Sequence, residues 1–274
     1  MVSSLRRTIL LLFSLDSFIY SIIDILWLLV CFMLISFHKM EVLFVSYENQ
    51  KQVNAISKYL KTDINLKKFK YYSSFVKKWI RLLNYHNIHN YLFCQQCISD
   101  NDQIYEYEYP FFDTNLIFRF SIQYIRTFFF KSNRNPDFFP IITLNNNNGN
   151  LMYNGFTCEY TDYKIENSTV YSDYNDIFIA PFPSIPLRYI AIDGNHRLSS
   201  QVNSNRKNIS ARYCPIEICE RSLISSFDIV MYTCLMDCYQ IKINMNRYSD
   251  LHIKQSLRVF DDSSFVNNLE KRGI

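Results

Sequence analysis

The decapeptide Tyr189-Ile190-Ala191-Ile192-Asp193-Gly194-Asn195-His196-Arg197-Leu198 holds one of only four glycines in a chain of 274 residues. An apolar run, Tyr189 to Ile192, passes directly into five residues dense in polar chemistry, and Leu198 to Asn205 can be helical. The order reads as strand, tight turn, helix start. Gly194 supplies the backbone freedom that a sharp turn needs, and it places no Cβ in the way of a ligand. Asn195, His196 and Arg197 then fall near the first turn of a helix, where N–H groups and the helix dipole attract anions. Arg197 adds a planar fork matched to phosphate or carboxylate. The plainer alternative is that Asp-Gly and Gly-Asn are ordinary turn dipeptides and that a His-Arg pair at a helix start is only solvated.

The surroundings repeat the theme of short elements. Upstream lies a proline-containing apolar run, Phe138-Phe139-Pro140-Ile141-Ile142-Thr143-Leu144, and Pro181, Pro183 and Pro186 give a rigid, extended approach to the motif strand. Downstream come a short helix candidate and a strand candidate, Ile209 to Ile218. Residues 189–198 and this flanking order, over about 135–220, resemble the ParB/sulfiredoxin-like superfamily, whose signature is a strand, Asp-Gly-x-His-Arg and a helix. The resemblance implies an α+β domain of short strands and helices in which Gly194, Asn195, His196 and Arg197 hold nucleotide phosphates and Asp193 is the acidic position. It also implies a nucleoside triphosphate ligand, ATP or CTP with Mg²⁺, and nucleotide hydrolysis, phosphoryl transfer or nuclease action, with Asp193, His196 and Arg197 as catalytic candidates. Imidazoles titrate near neutrality, so His196 suits either phosphate binding or acid–base work. Sulfiredoxins carry a cysteine within the motif; this stretch has none, which argues against sulfinic-acid reduction. No helix-turn-helix pattern of the partition-protein kind is evident.

Hydrophobic residues make up 49% of the chain and aromatics 17%, enough for a packed core and against wholesale disorder. The Asn, Ile, Lys, Tyr and Phe excess fits an AT-rich genome, so aromatic richness is not itself a binding signal. Net charge is only +4, a weak pull toward nucleic acid or anionic lipid. The basic residues are uneven, however, with a cluster running from Lys58 to Arg81. It suits a solvated helix face next to a membrane, or else a DNA-binding patch.

Residues 17–37 are almost continuously apolar, interrupted chiefly by Asp24, and long enough to cross a bilayer of about 30 Å as a helix. A cleaved signal peptide fits less well, because no small-x-small site follows. Arg6 and Arg7 favour an inside N-terminus; the larger basic cluster after the stretch favours an inside C-terminal part, which is the orientation a nucleotide-using domain needs. The expectation is a single-pass membrane protein with its main domain cytoplasmic. The alternative is a cytoplasmic protein starting at Met40, because residues 41–47 look like a natural first strand.

Elsewhere, Val53, Ile56 and Leu60, then Phe75, Trp79, Leu82 and Leu83, fall at helical spacing. Ile117 to Phe130 reads as one amphipathic helix or a pair of aromatic strands. Asn145 to Asn150 is a polar loop between strands, and Met152 to Val170 alternates in places. Ser222 to Asn244 and Ser249 to Val259 are helical candidates. The organisation expected is 1–39 as an apolar segment, 40–130 as an α/β region, 131–225 as the motif domain and 226–274 as a helical region. His86, His89, Cys94 and Cys97 form two ligand-spaced pairs, but the gap between them is short for a zinc loop. Cys214, Cys219, Cys234 and Cys238 read as core positions. Asp173, Asp176 and Glu217, the last on the following strand, are carboxylates that could help hold Mg²⁺. There is no Walker A loop, Rossmann glycine pattern or nucleophile-elbow serine.

Overall fold

The computed structural model describes residues 48–90, 103–132, 139–162, 176–184 and 187–269. The apolar stretch 17–37, the strand expected at 41–47, and Cys94, Cys97 and Asp173 lie outside them. The chain divides into two units, residues 1–50 and 51–274. Of the first, only residues 48–50 are described, and they are helical. No helix among the described residues is long and apolar enough to cross a membrane.

The second unit is mixed α+β. It opens with α1 (51–62), α2 (Ile64–Lys67) and α3 (Tyr72–Ile88), followed by a hairpin of β1 (Ile104–Phe111) and β2 (Thr114–Ser121) and then α4 (Ile122–Ser132). Next come β3 (Ile141–Asn147), β4 (Asn150–Tyr153), β5 (Phe156–Glu159), β6 (Phe178–Phe182) and β7 (Arg188–Asp193). The chain continues with α5 (Asn195–Asn203), β8 (Asn208–Tyr213), α6 (Ile216–Ser222), α7 (Ser226–Asn244), α8 (Asp250–Ser256) and two 3-10 turns, Arg258–Phe260 and Val266–Asn268.

The helical spacing before residue 90 is realised: Val53, Ile56, Leu60, Phe75, Trp79, Leu82 and Leu83 are all buried. The segment 117–130 is neither one helix nor two strands. Its first five residues finish β2, and the rest enters α4, with Ser121 Oγ accepting the Tyr124 N–H at 3.1 Å where the period changes from two to 3.6. The polar run 145–150 is mostly strand. Asn147 pairs with Asn150, leaving only Asn148-Gly149 as the turn, with both residues at positive φ as a two-residue hairpin of this twist requires. The predicted strand 209–218 stops at Tyr213, because Pro215 has no N–H for a ladder; α6 follows, so Glu217 lies on a helix rather than a strand.

Strands β3-β4-β5-β7-β6-β8 close a barrel in which β5–β7 and β6–β8 are parallel and the other pairs antiparallel. Every residue of β6, and all of β7 after Arg188, is buried. Alternate residues serve two cores. Ile179, Tyr189 and Ala191 join a cluster with Leu198 and Val202 of α5, while Phe178, Ala180, Phe182, Ile190 and Ile192 join a larger one. The unbroken apolar run that precedes the motif is thus a strand covered on both faces. The larger core also takes in Phe75, Phe118 and Phe227, so the stretches 51–130, 131–225 and 226–269 share one interior.

Helix α7 is its axis. Fourteen of its nineteen residues are buried, so other elements must sheathe it on every side. Its carboxylates are buried too. Asp237 accepts the Arg258 and Val259 N–H groups, each at 3.0 Å, and Asp228 lies 3.7 Å from the Arg119 guanidinium. Burial pushes both acids from an ordinary 3.8 up to about 7, against the pull of those partners. Between these limits the folded chain keeps protons that the unfolded chain has released, so this contribution to stability falls as pH rises from about 4 to about 7. Urea unfolding should therefore show a lower midpoint at pH 8 than at pH 5. Asp228→Asn, which cannot ionise, should flatten that slope; an unaltered slope would contradict the assignment.

Candidate functional site

The motif occupies the junction that its pattern predicts. β7 ends at Asp193, Gly194 turns the chain, and α5 starts at Asn195. Gly194 has φ +84°, and a Cβ there would stand 2.9 Å from Arg197 Nη2 and 3.0 Å from Ile177 Cα. Both the backbone angle and the lack of room demand glycine. The first full turn of α5 closes with Leu198 N–H donating to Gly194 O at 2.9 Å, so the amides before it lie at the positive end of the helix.

Asp193 organises the site. It is only 7% exposed, and its carboxylate accepts both prongs of Arg126, Nε at 2.8 Å and Nη2 at 3.0 Å. The Gly194 N–H donates to it at 2.6 Å, and Arg197 Nη2 stands 3.9 Å away. The same Nη2 donates to the main-chain oxygen of Asp176 at 2.6 Å, which fixes Arg197 beside Asp193. The Asp176 carboxylate in turn accepts from Arg212 Nε at 3.1 Å. Three guanidinium groups therefore face two carboxylates, and the cluster keeps a net positive charge. A bidentate pair on a buried carboxylate gains strength from the low local dielectric, and it holds Arg126 in one orientation.

Asn195 has a different task. Its Oδ1 accepts the Thr161 N–H and its Nδ2 donates to Ala191 O, each at 2.9 Å. The amide ties α5 to β7 and to the segment after β5, so its side chain is committed to the scaffold. His196 is exposed, beside a cavity of about 260 Å³ that Arg126, Asp193, Gly194, His196, Arg197 and Tyr105 help to line. A hollow of about 60 Å³ on the Phe129 side shares Arg126, Asp193 and Arg197, so the charged cluster is reached from two directions. The arrangement suits an anion: fixed donors, a helix start and no Cβ at the turn.

Of the other candidates, Asp176 joins the cluster, whereas Glu217 does not; it lies on α6, 3.6 Å from Arg258. His86 is buried in α3, where burial and the nearby His89 hold its imidazole down to about 4. Among the described residues no group of three or more His, Cys, Asp or Glu side chains could hold a metal ion. Cys214, Cys219, Cys234 and Cys238 are buried free thiols. Sequence reading missed Arg212, which holds Asp176, and above all Arg126. Arg126 lies 67 positions from its partner, and its one local signal is that it and Arg119 are the only charges in Ile117 to Phe130.

No family model matches the chain, and neither a curated protein nor a solved structure matches it.

Gly194→Ala should lower unfolding stability by about 2–3 kcal/mol, combining a penalised left-handed backbone with displacement of Arg197. Urea denaturation measures it directly, and an unshifted midpoint would rule out the close approach described here.

Proposed function

We propose that the cavity at the start of α5 binds the phosphates of a nucleoside triphosphate, ATP or CTP, in a domain of ParB/sulfiredoxin-like type. The observation that carries this reading is the pair of guanidinium groups, Arg126 and Arg197, aligned on one buried carboxylate beside a helix start and a cavity of about 260 Å³. That volume is just under the roughly 300–1,000 Å³ of pockets that engulf a drug-sized ligand, so it suits a phosphate chain with the nucleoside outside. Arg197 and the main chain around Gly194 would hold phosphate oxygens, with His196 at the mouth. Mg²⁺ would arrive with the nucleotide, because the Asp176 carboxylate is already engaged by Arg212. Hydrolysis or phosphoryl transfer would then rest on positioning and charge stabilisation, with His196 as the acid–base group. Residues 17–37 would tether the domain at the cytoplasmic face, where triphosphates are available.

The second reading is the same site without turnover, in a membrane-tethered DNA-binding or adaptor protein. It is favoured by the engagement of Asp193: both its oxygens already accept hydrogen bonds, from Arg126 and from the Gly194 amide. The two readings separate on the full-length chain, using fluorescent ATP and CTP with and without Mg²⁺, NTP turnover, and DNA retention across a salt series. Arg197→Ala should weaken nucleotide binding by about 1.5–3 kcal/mol, the scale of a charge-assisted hydrogen bond. Turnover lost in His196→Ala supports the enzyme; binding without turnover supports the adaptor. Unchanged affinity in Arg197→Ala would refute the site.

A further inference from the structure

A second charged region lies at the other end of β1, on α1, α2 and the hairpin tip. Residues 51–90 contain nine Lys or Arg and a single acid, Asp63. Asp63 caps α2 by accepting the Leu66 N–H at 2.9 Å, and it forms an ion pair with Lys242 of α7, so its charge is answered from inside. Lys58, Lys61, Lys67, Lys68 and Lys70 are exposed. Tyr72 Oη donates to Leu60 O at 3.0 Å, folding the start of α3 back onto the end of α1, so the short segments that carry these lysines are held together. Lys254 of α8 adds another cation there, 4.7 Å from the Tyr71 ring. Asp113, on the hairpin tip, shares a shallow hollow with Lys51 and Lys58 and is the one carboxylate in its lining.

Two large apolar side chains stand among these lysines. Ile64 is 72% exposed at the start of α2, and Phe112 is 59% exposed at the tip of the β1–β2 hairpin. Lys58 Nζ lies 5.3 Å from the Phe112 ring. A lone exposed apolar residue is ordinary; Phe112 is not ordinary, because it has φ +53°. Two further two-residue turns among the described residues, Asn148-Gly149 and Asn154-Gly155, have positive φ at both positions and use residues that accept it. Here a two-residue turn with positive φ at its first residue alone carries a bulky aromatic in a penalised conformation, more than half exposed beside the Phe111 and Tyr59 rings and Lys58. Strain kept at an exposed position asks for a role.

We propose that this face docks on an anionic lipid surface. The lysines meet headgroup phosphates, while Phe112 and Ile64 enter the interface between headgroups and acyl chains. Basic residues around protruding apolar ones match both layers of such a surface. A nucleic acid fits less well. Eight of the nine basic residues are lysines, point charges without the arginine fork, and a phosphate backbone offers Ile64 nothing apolar to bury against.

The test is lysine acetylation footprinting of the full-length chain, read by mass spectrometry. It compares phosphatidylcholine vesicles with and without phosphatidylglycerol, and uses duplex DNA as a third condition. The neutral vesicles absorb whatever the apolar residues 17–37 contribute. On anionic vesicles Lys58, Lys61, Lys67, Lys68 and Lys70 should label at least about fivefold more slowly than on neutral ones, the scale expected per basic residue near such a surface. Lys131 and Lys207, exposed on other elements, should label alike on both. The double variant Ile64→Ser/Phe112→Ser changes only exposed side chains, and it should lose protection at lower salt than the parent. Equal labelling on the two vesicle types overturns the proposal, whether or not duplex DNA protects the same lysines.

Discussion

A helix buried around its whole circumference constrains everything packed against it. α7 cannot lie on a surface, so α3, β2, α6 and the C-terminal turns must close around it. Shape alone would allow these elements to slide. The buried polar groups of α7 remove that freedom, because each has a different partner. Asp228 faces Arg119 of β2 at 3.7 Å, and Tyr232 donates to Pro181 O of β6 at 2.7 Å. Thr233 reaches Glu220 of α6 at 3.3 Å, and Asp237 holds the turn at Arg258 and Val259. Glu220 is in turn 2.7 Å from Arg258. An apolar helix supplies the driving force, and a few buried polar contacts specify a single arrangement.

The candidate site inherits its geometry from this packing. β6 and β7 are the wall between the core around α7 and the smaller core beneath α5. The carboxyl end of β7 can therefore be placed only as accurately as both cores are packed. Asp193 stands at that end, and Arg126 reaches it from α4, an element that exists because β2 stops at Ser121. The bidentate contact fastens α4 to the end of β7, and it does so at the lip of the cavity.

What the sequence made legible is what local pattern controls. The motif's strand, turn and helix depend on an apolar run, one glycine and a polar helix start, and all three sit where the pattern put them. The helix starting near residue 50, α3 and α7 announce themselves through apolar spacing or sheer apolarity. The polar run 145–150 misled because asparagine is a turn residue by propensity, whereas pairing with β8 and β4 makes most of it strand. The segment 117–130 misled because one stretch serves two periods. Arg126 was out of reach, since its meaning depends on a carboxylate brought to it by long-range packing. Asn195 reads as a ligand group from its place in the motif, yet its amide is consumed by Thr161 and Ala191. Closure of six short strands into a barrel leaves no mark in any single strand.

The charge balance of the cluster also limits what it can do. A guanidinium aligned by a carboxylate needs no reorganisation to receive an anion, which favours binding. That same carboxylate repels the anion, and because Asp193 is buried the repulsion is weakly screened by solvent. The cluster therefore gains order and gives up field strength. The bidentate contact with Asp193 fixes the direction of the Arg126 fork, and Asp176 O holds Arg197 beside it. β1 sets the spacing between this cavity and the lysine-rich face. Tyr105 lines the cavity, and Phe111 packs beside Tyr59 and Phe112 near the lysines. Six residues of extended chain separate them by about 20 Å. That is beyond the Debye length of about 8 Å at physiological ionic strength, so the charges at the cavity and those of the lysine-rich face are screened from one another. One hairpin thus joins the wall of the cavity to the lysine-rich face, and its paired strands fix the distance between them.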